Sequence, residues 1–174
     1  MATTAYAALL RAVNVGGTGK LAMSDLTRLC EREGFSSVKT YIASGNVVFT
    51  SRSREGAVKT ALERALASHM GKPVAVHVRT AAELEATMAV NPFPKALPNR
   101  VIVLFVEEPP LNDVLTGVVA RDGEELAIRG RELFVHFPRG QGTSKLKLPL
   151  AKISTGRNLN TVAKLAAMTR ALGR

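Results

Sequence analysis

From residue 5 to residue 79 the hydrophobic pattern changes period in the order strand, helix, strand, strand, helix, strand, and that order constrains the fold more than any other feature of the chain. Ala5 to Val13 reads as a first strand ending in the glycine cluster Gly16, Gly17 and Gly19. Residues 22 to 33 place Leu26, Leu29 and Cys30 at helical spacing, with Gly34 positioned to cap the C-terminus and Phe35 to close the cap with an apolar contact. Val38 to Ala43 and Asn46 to Ser51 form two short strands across Ser44-Gly45, which is hairpin chemistry. Ser53 is the expected cap of a second helix, whose Val58, Leu62, Ala65, Leu66 and Met70 recur every three or four residues up to Gly71. Val74 to Arg79 then alternates valines with Ala75, His77 and Arg79.

A connecting helix follows, opened by the capping box Thr80/Glu83 and stopped at Asn91-Pro92-Phe93-Pro94. A second round begins at Arg100. Val101 to Val106 reads as a buried strand, Pro110 to Val118 as a short helix, Glu125 to Ile128 and Leu133 to Phe137 as a hairpin turning near Gly130, and residues 144 to 152 and 159 to 172 as helices. The expected fold is therefore α+β, with two ferredoxin-like (split β-α-β) halves and additional C-terminal helices. The expected boundaries are residues 1–80, a connector at 81–99, and 100–174.

At 174 residues such a chain buries about 70% of its surface on folding and needs neither metal nor disulfide to hold it. Its 46% hydrophobic and 22% charged composition excludes intrinsic disorder. The longest apolar runs, Ala5 to Leu10 and Val101 to Val106, fall far short of the roughly 20 residues that span a bilayer. Cys30 stands alone, which fits a reducing cytoplasm, and no signal peptide is apparent at the N-terminus. The net charge of +10 is unevenly placed: residues 101 to 141 carry four basic and seven acidic side chains, whereas residues 142 to 174 carry seven basic ones and no acid. That field attracts polyanions or phosphorylated ligands, although a basic tail also serves solubility alone.

Five blocks, Leu9-Leu-Arg-Ala-Val-Asn-Val-Gly-Gly17, Thr40-Tyr-Ile-Ala-Ser-Gly-Asn-Val-Val-Phe49, Asn91-Pro-Phe93, Ser144-Lys-Leu146 and Arg157-Asn-Leu-Asn-Thr-Val-Ala-Lys-Leu165, resemble the bacterial domain-of-unknown-function 1697 family in content and order. The resemblance implies an α+β fold with ferredoxin-like halves and carries no established activity. The family usually has Gly after the strand arginine and Trp within the last block, where this chain has Ala12 and Leu159. If that Trp stacks on a ligand in relatives, the stacking is lost here; if it fills the core, Leu159 substitutes at modest cost.

Three loop-to-helix junctions carry the candidate chemistry. Asn14-Val-Gly-Gly-Thr-Gly-Lys20 has the strand, glycine turn and helix order of an anion loop, yet Asn14 and Leu21 break the Walker pattern; a tight structural turn is the competing reading. Arg139 to Lys145 leads into the second expected junction, with Ser144 as helix cap and Lys145 reaching an anion. In the third, Asn158 or Asn160 caps the last helix and Arg157 either grips a carboxylate or phosphate or serves as a buried ion-pair partner. The candidate ligand set is thus Arg11, Asn14, Gly16, Gly17, Lys20, Ser144, Lys145, Arg157, Asn158, Asn160 and Thr161. If the junctions converge, Lys20 and Arg157 share one concave surface.

The three histidines lack metal-ligand spacing, Cys30 reads as a core thiol, and no nucleophile elbow is present, so no metal or cofactor is expected and no catalytic residue is identified. An open sheet face bearing Arg11, Tyr41, His77 and Arg79 would resemble RNA-recognition surfaces; the alternative is that this face is covered by the second half. The leading expectation is a cytoplasmic, monomeric, non-catalytic binder of nucleic acid or another polyanion. An enzyme acting on a small phosphorylated or carboxylated molecule and a protein-interaction module are the alternatives.

Overall fold

The computed structural model describes residues 2–16, 19–120 and 122–174, which contain two four-stranded antiparallel sheets and four α-helices. The chain divides into two compact units, Met1–Leu84 with Lys164–Arg174, and Glu85–Ala163. Among the described residues no helix is long and apolar enough to cross a membrane.

In the first unit β1 (Thr4–Leu10), α1 (Met23–Arg32), β2 (Ser36–Tyr41), β3 (Asn46–Ser51), α2 (Glu55–Met70) and β4 (Val76–Thr80) build a sheet of order β2-β3-β1-β4. Tyr6, Ala8, Leu10, Val47, Phe49, Val76 and Val78 share a core with Leu26, Leu29 and Cys30 of α1 and Val58, Leu62 and Leu66 of α2. The end of α1 follows its sequence signal. Gly34 takes φ +84°, its N–H bonds the Glu31 carbonyl and the Phe35 N–H bonds the Cys30 carbonyl. Phe35 is thereby turned inward and stacks on Phe49 at 4.4 Å and 7°. The capping box also forms, with the Glu83 carboxylate accepting from the Thr80 N–H at 2.8 Å and the Thr80 hydroxyl accepting from the Glu83 N–H at 3.2 Å.

One expectation in this unit fails, and one of the two readings of the sheet's other face falls away. Ser53 does not cap α2: Arg54 holds the cap position without a side-chain bond, and the Ser53 carbonyl accepts the Tyr6 hydroxyl at 2.9 Å. Nor is the second sheet face open. Strand alternation places His77 and Arg79 beside Leu9 and Ala7, and they are 3% and 0% exposed. A face that buries its arginine and histidine offers no stacking platform to RNA.

In the second unit β5 (Val101–Phe105), β6 (Glu125–Arg129), β7 (Glu132–His136) and β8 (Thr155–Asn158) repeat the strand order as β6-β7-β5-β8. The connector α3 (Ala81–Ala89) stops before Asn91, whose side chain accepts the Phe93 N–H, and α4 (Leu159–Leu172) ends the chain's regular structure. The expected crossing helices do not form. Residues 110 to 118 make only a 3-10 turn at Asn112–Leu115, ended by Gly117 at φ +82°. Residues 144 to 148 form a strap that is neither helix nor turn, followed by a second 3-10 turn at Pro149–Lys152. The reason lies in the period: Ser144, Leu146 and Leu148 are half-buried while Lys145 and Lys147 are exposed, an alternation of two that suits extended backbone, and Pro149 disfavours helix at Leu148. The strand β8 lies where the sequence suggested a loop.

Candidate anion-binding site

The junction after β1 is held by one side chain. The Asn14 amide nitrogen donates to the carbonyls of Leu21 and Ala43, both at 2.8 Å, and its oxygen accepts the Leu21 N–H at 2.8 Å. At roughly 1 kcal/mol each, these bonds close the loop on itself and tie it to the turn between β2 and β3. Asn14 takes φ +55°, which its type tolerates, whereas Ala12 takes φ +54° without such help. The turn reciprocates through Gly45, whose carbonyl accepts the Leu10 N–H at 2.8 Å. A Cβ there would lie 2.5 Å from Val13 Cγ2. Asn46, fully buried, donates to the Tyr41 carbonyl and the Ser44 hydroxyl. Arg11 is half-buried, and Gly16 and Lys20 are exposed; Gly17 lies outside the described residues. Lys20 has no ion-pair partner among the described residues.

In the second unit Ser144 is not a helix cap. Its hydroxyl donates to Glu124 Oε1 at 2.7 Å and accepts the Leu146 N–H at 3.1 Å, so it fastens the strap to the loop before β6. Glu124 Oε2 accepts the Asp122 N–H at 2.9 Å. The Ser144 hydroxyl first, and backbone N–H groups second, hold the Glu124 carboxyl below its ordinary range. With Leu146 and Leu148 turned toward the apolar sheet face, Lys145 and Lys147 turn the other way, line a recess of about 510 Å³ with Gly117 and Val119, and have no ion-pair partner among the described residues.

Arg157 does not join them. On β8 it lies opposite Val103, while its neighbour Gly156 faces Leu104 and Ile102, the residues beneath the strap. Successive strand residues point to opposite faces, so Arg157 and the strap are separated by the sheet, and the expected convergence fails within this unit. Arg157 is 8% exposed and donates to the Thr155 hydroxyl at 2.7 Å and the Gly156 carbonyl at 2.9 Å. Burial pushes its guanidinium down to about 10, still cationic at neutral pH. Asn158 caps α4 by accepting the Thr161 N–H at 3.0 Å; Thr161 is buried and Asn160 exposed. Leu159, in the place of the family's usual Trp, is 4% exposed, a core position.

Sequence reasoning missed Lys147, although the alternation of Ser144-Lys-Leu-Lys-Leu148 contains the signal. It also missed an open recess of about 450 Å³ where Phe93 lies 5.6 Å from the ring of His136, which contacts Glu125 Oε1 at 3.3 Å. Cys30 is a core thiol: burial first, then Glu31 and Glu33, pushes it up to about 12. Among the described residues no cluster of three His, Cys, Asp or Glu could hold a metal ion.

A search of curated proteins found no match. Among solved structures, the conserved bacterial protein SP0830 from Streptococcus pneumoniae is similar over 97% of this chain and 99% of its own, at 26% identity and a TM-score of 0.78. An unknown protein from Galdieria sulphuraria aligns over 98% of this chain and 93% of its own at 17% identity, with a TM-score of 0.29 that bears on nothing here. The similarity to SP0830 thus extends over nearly the whole of both chains. Residues 3–134, the first unit's sheet and most of the second's, match the family described as Protein of unknown function (DUF1697), and the chain belongs to that family.

Proposed function

We propose that this protein is a non-catalytic, cytoplasmic, monomeric binder of nucleic acid, gripping the phosphate backbone through a basic surface centred on the strap. One observation carries the reading: Lys145 and Lys147 project from the same side of an extended segment into a recess, without an ion-pair partner among the described residues. The net charge of +10 and the acid-free stretch from residue 142 to 174 supply the surrounding field. The test is fluorescence anisotropy with single-stranded RNA and DNA over a salt series. The expected result is binding that weakens with salt, and in Lys145→Glu/Lys147→Glu a log-log slope shallower by about 1.4, two phosphate contacts at about 0.7 each. An absence of binding to either strand at about 50 mM salt refutes the reading.

We also infer that both units are ferredoxin-like. The first has the β-α-β-β-α-β order, and the second has the same strand order with a 3-10 turn and a strap in place of its two helices.

A further inference from the structure

The underside of the strap faces a different kind of space. Between the sheet and the strap lies a pocket of about 230 Å³. Its walls are Ile102, Leu104, Val135 and Phe137 from the sheet and Leu146 and Leu148 from the strap. An apolar cavity of about 150 Å³ already accommodates benzene, so this one has room for a single substituted ring or a fused bicycle of indole's size. Among the described residues its polar side chains are Gln141 and Ser144, beside the backbone groups of the strap. They decide the ligand's headgroup. The Ser144 hydroxyl has spent its proton on Glu124 and one lone pair on the Leu146 N–H, leaving only acceptor capacity. The Gln141 side chain has no hydrogen-bond partner among the described residues, and its amide, exposed and able to turn its NH2 group to solvent, can present its carbonyl oxygen beside Ser144. The Glu124 carboxylate stands directly behind Ser144, so an anionic headgroup entering here meets like charge.

We propose that this pocket is a binding site for a neutral, single-ring or indole-type aromatic molecule carrying one O–H or N–H donor. The ring takes the place of solvent against the apolar walls, and the donor is accepted by Ser144 Oγ and Gln141 Oε1. The site uses none of the lysines and stands or falls apart from the nucleic-acid reading.

The probes are indole and benzyl alcohol, with indole-3-carboxylate and benzoate as charged counterparts, followed by ligand-observed NMR and thermal shift on the full chain. The wild type should bind indole saturably, with a Kd of about 1 mM or tighter, and each carboxylate at least about tenfold more weakly. Ala151→Phe introduces a ring at the pocket lining and should abolish the saturable signal. Gln141→Ala, at an exposed position, should keep the fold and weaken indole about fivefold, one neutral hydrogen bond's worth. If Ala151→Phe does not fold, Gln141→Ala decides. The proposal is overturned if the wild type shows no saturable binding to either neutral probe, if the carboxylates bind as well as the neutral molecules, or if both variants bind indole like the wild type.

Discussion

Replacing Gly45 with alanine tests the tightest surroundings of any described glycine. Gly45 takes φ +91°, and a Cβ built there falls 2.5 Å from Val13 Cγ2 and 3.0 Å from Leu10 Cβ. Left-handed backbone costs an alanine about 1–2 kcal/mol, and crowding a packed core costs about 1–3 kcal/mol more. The loss of unfolded-state freedom returns about 0.4–1 kcal/mol, leaving a net destabilisation of about 1–4.5 kcal/mol, about 3 kcal/mol at its centre. With a urea m-value of about 2 kcal/mol/M, the midpoint of unfolding followed by far-UV circular dichroism should fall by about 1–2 M at constant slope. The clash and the backbone contributions separate in a double-mutant cycle. Val13→Ala removes the methyl that Cβ strikes, so Gly45→Ala should cost about 1–2 kcal/mol less in that background. A single-mutant cost below about 1 kcal/mol, or additivity within about 0.5 kcal/mol, would refute the reasoning that this turn is set by its approach to Val13.

Ala12→Gly should act in the opposite direction, because φ +54° suits glycine; the expected gain is about 0.5–1 kcal/mol, read as a rise of about 1–4 °C in Tm. Ser144→Ala should flatten the acid limb of stability. The Glu124 carboxyl is held below its ordinary range in the fold, so its contribution is present above the unfolded value and disappears as pH falls through the folded one. The urea midpoints of wild type and variant should therefore differ at pH 7 and draw together toward pH 3; a constant difference across that range would show that the hydroxyl does not govern the carboxyl.

What the sequence disclosed and what it hid divide along physical lines. Gly34 with Phe35, and Thr80 with Glu83, are local devices: each is complete within a few residues, and each formed as read. The same holds for the hairpin about Gly130, which turns at φ +58°. Ser144 to Leu150 misled because leucines at 146, 148 and 150 and lysines at 145 and 147 were read as the opening of a helix, when their strict period is two. Thr155 to Asn158 escaped notice as a strand because its pairing with β5 is non-local and only Thr155 has a strand former's side chain. For the candidate site, Lys145 was legible from charge alone. Its separation from Arg157 was not, since it depends on which face of a sheet each residue takes.

The last helix has a consequence for how the protein is made. Residues Lys164–Arg174 belong to the unit formed by Met1–Leu84, and Gly173 lies against Ala5 of the first strand. Translation at about 5–20 residues per second means the ribosome spends several seconds on Glu85–Ala163 before that partner exists. Throughout this interval Ala5, on an inner strand already paired with β3, lacks its contact with Gly173. The N-terminal unit is therefore synthesised first and finished last.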